Sequence, residues 1–155
     1  MKKVIATDKA PSAIGPYSQG IAASGKMVFV SGQIPIDPAT GAFAADDIKG
    51  QTEQSLKNVG AILAEAGCSY EDVVKTTVLL AHIADFGPMN EVYAKYFNGD
   101  CPARAAFAVK DLPKGALVEI EAIAVKEYHR KGKTGELRLP RFQFIHTTFT
   151  IAALT

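Results

Sequence analysis

Arg104 is the residue in this chain that most needs a chemical explanation. It stands in Pro102-Ala103-Arg104-Ala105-Ala106-Phe107-Ala108-Val109, a run made otherwise of small and apolar residues. A guanidinium in such a strand is costly to bury unless something anionic meets it. Ala106 and Ala108 fall on the same face of an extended chain and leave room for a ligand beside it. The planar fork of donors matches a carboxylate. A structural ion pair with Glu119 or Glu121 accounts for the same residue equally well. Those two carboxylates share one face of the apolar run Val118-Glu119-Ile120-Glu121-Ala122. One of them can act as general base toward a water. A wet strand face, or a pairing with Lys or Arg, is the alternative. A third feature is Gly15-Pro16-Tyr17-Ser18-Gln19-Gly20 together with Ser31-Gly32-Gln33-Ile34-Pro35. Glycines let backbone N–H groups approach a ligand, and Tyr17 adds a ring and a hydroxyl. Two ordinary turns are the simpler reading of these segments.

Other chemistries lack their residues. No Walker or dinucleotide glycine loop is present, and no Ser or Cys sits in a nucleophile elbow. Cys68 and Cys101 read as small hydrophobes and are too few for a disulfide scaffold. The three histidines show no ligand spacing, so no metal site is expected. His82 reads as a surface or strand-end residue. The formal net charge is +1, which argues against an extended nucleic-acid surface. No apolar run approaches the roughly 18 residues of a membrane span. Asp8 and Lys9 interrupt the N-terminal segment before an apolar core forms, so a secretory signal is not expected, and the cysteines read as cytosolic thiols.

Several elements must position these residues. A short strand over Ser18–Ser24 and a buried strand over Met27–Gly32 are expected to form a hairpin across Gly25-Lys26. A helix is expected from Asp46 to Ala66. Its stripe is Ile48, Thr52, Leu56, Val59, Ile62, Leu63 and Ala66, with Asp46 or Asp47 as cap and Gly67 as stop. Val73–Leu80 reads as a β-branched strand. Asp85–Phe97 reads as a second helix, with Phe86, Met89, Tyr93, Tyr96 and Phe97 on its core face. Strands over Ala103–Val109 and Leu117–Val125 follow. The order ββαβαββ predicts an α+β layer, one mixed sheet with two helices on one face. The last strand carries apolar side chains on both faces, so the second face is expected to be buried against other copies of the chain.

Charge is unevenly spread. Residues 1–125 hold 11 Lys+Arg against 14 Asp+Glu, while residues 126–155 hold 6 against 2. Residues 126–133 read as a solvated linker, and 142–151 as a β-prone tail that is either a docking strand, a basic arm or a loose extension.

The segments Ala10-Pro11-Ser12-Ala13-Ile14-Gly15-Pro16-Tyr17-Ser18-Gln19, Val30-Ser31-Gly32-Gln33-Ile34-Pro35, Val74-Lys75-Thr76-Thr77-Val78, Pro102-Ala103-Arg104, Leu112-Pro113 and Val118-Glu119-Ile120-Glu121-Ala122-Ile123-Ala124 occur in order. Together they resemble the RidA branch of the Rid (YjgF) family of reactive-intermediate deaminases, over about residues 1–127. The resemblance implies a chorismate-mutase-like fold, a six-stranded mixed sheet backed by two helices, assembled as a barrel-like homotrimer with clefts between subunits. It implies cytoplasmic hydrolysis of 2-iminobutanoate and 2-iminopropanoate, released by pyridoxal-phosphate enzymes, to 2-oxo acids and ammonia. It implies no metal or organic cofactor; the charge balance and the lack of a long apolar run leave no nucleic-acid or membrane partner expected. Residue by residue, Arg104 falls where the family grips the substrate carboxylate, and Glu119 where it positions the attacking water. Tyr17, Ser31, Gly32 and Asn90 fall at positions lining the cleft. Ala106 departs from the cysteine of many members, which puts thiol-based redox behaviour there in doubt. Residues 128–155 have no family counterpart. A non-catalytic binder of small 2-oxo acids is the alternative function. An RNA-directed or translation-directed role is another, weakly supported because the basic charge sits only in the tail.

Overall fold

A computed structural model describes residues 2–127. The basic linker from Tyr128 onward and the β-prone tail lie outside the described residues. The chain runs β1 (Lys2–Ile5), β2 (Gly20–Ala23), β3 (Lys26–Gln33), α1 (Ile48–Glu65), β4 (Val73–Leu80), α2 (Phe86–Tyr96), β5 (Ala103–Ala108) and β6 (Val118–Lys126). This is the expected α+β layer of two helices against a mixed sheet. The main sheet has the order β3-β6-β4-β5, with β6 antiparallel to both neighbours and β5 parallel to β4. Each helix is therefore a crossover between parallel strands, α1 from β3 to β4 and α2 from β4 to β5.

The expected hairpin of β2 with β3 does not form. β2 pairs instead with β1, a strand the sequence reading missed, in a separate two-stranded ribbon. Gly25 turns the chain with φ of 147°, and a side chain there would run into the Lys126 carbonyl, so β3 leaves the ribbon and starts against the end of β6. The ribbon is tied to the sheet where Ser18 bridges Ala103 and where the Lys2 ammonium donates to the Glu71 and Asp100 carbonyls.

α1 starts at Asp47, whose side chain accepts from the Gly50 amide at 3.0 Å, and Gly67 follows its end with φ of 73°. Its buried stripe is rotated from the expected one. Gln51 and Ser55 face inward, while Ile62 is partly exposed. The Gln51 amide is accommodated because it accepts from the Leu117 N–H and donates to the Ala45 carbonyl. The core lies between helices and sheet. Leu56, Val59, Leu63, Met89 and Tyr93 meet Val78, Leu80, Val118, Ile120 and Ala124 there, all fully or almost fully buried. The other face of the sheet carries Met27, Phe29 and Phe107 exposed, beside Ile123 and Val125.

Candidate active site

Strand parity decides which side chains can meet. Arg104 pairs across the ladder with Thr76, and Thr76 with Ala122. Thr76 and Ala122 are buried, so all three face the helices. The guanidinium thus enters a box of rings. Its carbon lies 4.7 Å from the Tyr93 ring centre, 5.5 Å from that of Tyr17 and 5.6 Å from that of Phe86. Each such contact is worth about 0.5–2 kcal/mol, more where water is excluded. Tyr93 is fixed from below, where its hydroxyl shares a 2.7 Å hydrogen bond with Thr76. Burial raises the Tyr93 pKa, so the phenol stays neutral. Asn90, on α2, accepts from Arg104 Nη1 at 2.7 Å. Gly15 brings backbone alongside: a Cβ added there would touch Arg104 Nη2 at 3.6 Å.

Among the described residues no carboxylate lies within ion-pair distance of Arg104, and Asn90 is its single hydrogen-bond partner. The alternative of a structural ion pair to Glu119 or Glu121 therefore fails within the chain. Burial lowers the Arg104 pKa, yet a guanidinium starts so high that it remains a cation at any working pH. The result is a half-buried cation with most of its five donors unspent. Such a cation has the donors to receive a small planar anion.

The remaining expected residues divide. Tyr17 and Asn90 join Arg104, and Ala106 follows on the same face of β5, opposite Val78. Glu119 does not join them. It alternates with buried Val118 and Ile120 and pairs with Leu79, which places it on the face away from the helices. Ser31 and Gly32 lie beside it, at a bulge where the β3–β6 register shifts between Val30 and Gln33. A side chain at Gly32 would overlap the Glu119 carboxylate. The expected residues thus form two half-sites on opposite faces of one sheet. Phe86, Tyr93 and Thr76 were missed, while Gly15 belongs to the glycine segment singled out beside Tyr17. The first two were read as core, and only an arginine predicted on the adjoining strand would have pointed to their second role.

Gly32→Ala is expected to push the Glu119 carboxylate aside while leaving the fold intact, because the obstructing atoms are the far end of a flexible side chain. If Glu119 handles water, turnover falls by about 10- to 100-fold with the melting temperature within about 2 °C of the parent. Steady-state kinetics beside a thermal melt checks this, and unchanged turnover removes Gly32 and its neighbour from the reaction.

Among the described residues no cluster of His, Cys, Asp and Glu is arranged to hold a metal ion. No helix of the described residues is long and apolar enough to cross a membrane.

Comparison with known proteins gives a consistent neighbourhood. The family model described as Endoribonuclease L-PSP matches residues 7–126. The 2-iminobutanoate/2-iminopropanoate deaminase of Mus musculus is 52% identical over 126 residues, 81% of this chain and 93% of that protein. The Homo sapiens protein of the same name is 49% identical over 126 residues, 81% of this chain and 91% of its own length. Among solved structures, the YjgF gene product from E. coli is 46% identical, with a TM-score of 0.62 over 81% of this chain and 99% of that one. E. coli TdcF with bound serine is 45% identical, with a TM-score of 0.63 over 81% of this chain and 99% of that one. Architecture, segment order and these similarities agree: the chain belongs to the Rid (YjgF) family, whose model carries the description Endoribonuclease L-PSP.

Proposed function

We propose that this chain hydrolyses small 2-imino acids, 2-iminobutanoate and 2-iminopropanoate, to the corresponding 2-oxo acids and ammonia. The observation that carries the reading is Arg104, a cation boxed by three rings with no carboxylate of the described chain to neutralise it. An imino acid is a short planar anion with an electrophilic C=N carbon next to the carboxylate. Gripped by two parallel N–H···O bonds, it presents that carbon at a fixed place. The relatives named above support the same substrates, and the serine bound in E. coli TdcF is likewise a small 2-substituted carboxylate.

Glu119 supplies the water. Because it faces away from Arg104 in its own chain, it serves the Arg104 box of a neighbouring subunit. The apolar face with Met27, Phe29 and Phe107 packs between subunits in a homotrimer, which seats Ser31, Gly32 and Glu119 against the neighbour's Tyr17, Asn90, Arg104 and Ala106. The Glu119 carboxylate takes a proton from the water as its oxygen adds to C2. Glu119 passes that proton to the imine nitrogen, which becomes the amine of a carbinolamine. The carbinolamine hydroxyl then gives up its proton, relayed through Glu119 to the amine, as the C–N bond breaks, leaving a C=O and free ammonia. Water is the only co-reactant, so the reaction as written calls on no cofactor. Residues 1–127 are the catalytic unit in this reading, placed in the cytoplasm beside the pyridoxal-phosphate dehydratases that release such imines.

The test is a coupled assay. A threonine dehydratase generates 2-iminobutanoate, and formation of 2-oxobutanoate is followed by absorbance with and without the full chain. Faster appearance of the 2-oxo acid is expected. An unchanged rate beside measurable 2-oxobutanoate binding would instead make the protein a binding module.

A further inference from the structure

We infer that Gln19 is the positioning residue that holds the Gly15–Tyr17 segment over Arg104, so that the carboxylate receptor exists before substrate arrives. The inference rests on the deaminase reading for its functional consequence and on hydrogen bonding for its structural one. Residues 6–15 are all exposed and form the loop that leads from β1 into Gly15 and Tyr17, the two residues that lie against Arg104. Among the described residues, no backbone–backbone hydrogen bond outside helices and strands involves residues 6–14. A loop of this length without such bonds opens at little free-energy cost.

Side chains replace them: the Thr7 hydroxyl accepts from the Lys9 amide at 3.2 Å, the Tyr17 hydroxyl from the Ile14 amide at 3.4 Å, and Gln19 makes the most bonds. Gln19 Oε1 accepts from the Thr7 amide at 2.6 Å, and Gln19 Nε2 faces the carbonyls of Thr7 at 3.0 Å, Ala10 at 3.2 Å and Pro11 at 2.7 Å. Both ends of one primary amide are thereby saturated, and its two N–H groups are shared among three acceptors. The far end of the loop is pinned separately. The Ser18 amide donates to the Pro102 carbonyl at 3.0 Å, and its hydroxyl to the Cys101 carbonyl at 2.6 Å. Gln19 and Ser18 are adjacent, so one dipeptide anchors the loop both to itself and to the strand carrying Arg104. No other side-chain type completes this set. Asn is one methylene too short, and Glu has no N–H to give three carbonyls.

Binding to a receptor that is assembled only part of the time is weakened by the populated fraction. If Gln19→Ala leaves the loop in place about a tenth of the time, apparent affinity falls about tenfold, with kcat within about twofold because the bound complex is unchanged. Gln19→Glu, which is isosteric, is expected to be worse than Gln19→Ala, since it aims a carboxylate oxygen at three carbonyls. The experiment compares the wild-type chain and both variants by amide hydrogen exchange over residues 7–17, by calorimetric titration with 2-oxobutanoate, and by the coupled assay. Faster exchange confined to this loop, a raised Kd and KM, and a preserved kcat are expected. Exchange as slow in Gln19→Ala as in the wild type overturns the clamp. Faster exchange with unchanged Kd overturns its positioning role. A wild-type chain that neither binds nor turns over overturns the deaminase reading instead, and the exchange measurement then still decides the clamp.

Discussion

Arg104→Met is expected to lose at least about 30-fold, and up to a few thousandfold, in kcat/KM on 2-iminobutanoate, because truncating one partner of a buried charged contact costs about 2–5 kcal/mol. The same variant is expected to melt within a few degrees of the parent, because the desolvation relieved offsets the three ring contacts and the Asn90 hydrogen bond that are lost. Wild-type Arg104 is partly desolvated, which is why its pKa is depressed, and no carboxylate of the described chain repays that cost. Methionine keeps an apolar, flexible body among Tyr17, Phe86 and Tyr93 and discards the charge. Arg104→Lys should fall between the two in activity: it restores the charge, but not the two-pronged fork of donors. Kinetics and a thermal melt on the three proteins decide the matter. A large drop in melting temperature with Arg104→Met would mean that the guanidinium is a structural brace. Retained turnover would move substrate recognition elsewhere.

That arginine was legible because it broke a pattern. One charge amid Ala, Phe and Val has no packing explanation. α1, β4, α2, β5 and β6 were legible because their apolar runs are long enough to fix the type of element, although the buried face of α1 is rotated from the expected stripe. β1 was not, because four residues with two leading lysines, half covered on one side, carry no alternation to read. The ribbon partner of β2 was therefore missing from the expectation, and the next strand in the chain was paired to it by default. Gln51 shows another limit. A glutamine enters a core stripe only because the chain elsewhere, at Leu117 and Ala45, offers it both a donor and an acceptor. The two roles of Tyr93 and Phe86 were hidden for a similar reason. Spacing along a helix reveals which face is buried, but not whether the neighbour is a leucine or a guanidinium. Most consequential was parity. β5 and β6 never pair directly, so nothing local to either run tells that Arg104 and Glu119 leave the sheet on opposite sides.

Mixing two inactive variants is expected to restore activity for that same reason. Arg104→Met keeps Glu119, and Glu119→Gln keeps Arg104. In each pure protein every site lacks one member. Suppose instead that the two chains are unfolded, combined in equal amounts and refolded into shared trimers. A site is complete when the chain donating Arg104 is the Glu119→Gln variant and its neighbour donating Glu119 is the Arg104→Met variant. In a cyclic assembly with random assortment that occurs at about one interface in four, so about a quarter of wild-type activity should return. The fraction is diagnostic. Two groups drawn from one chain give no complete site in any mixture, because no chain carries both. Distinct mass tags on the two variants establish that mixed assemblies have formed. Recovery near a quarter then locates the reaction between subunits. Mixed trimers that stay inert would mean that Arg104 and Glu119 act from one and the same chain. A Glu119→Gln variant that is active on its own would mean instead that Glu119 has no part in the reaction and that the water is held on the Arg104 face, where the tyrosine hydroxyls, Thr76 and Asn90 are polar side chains near the guanidinium.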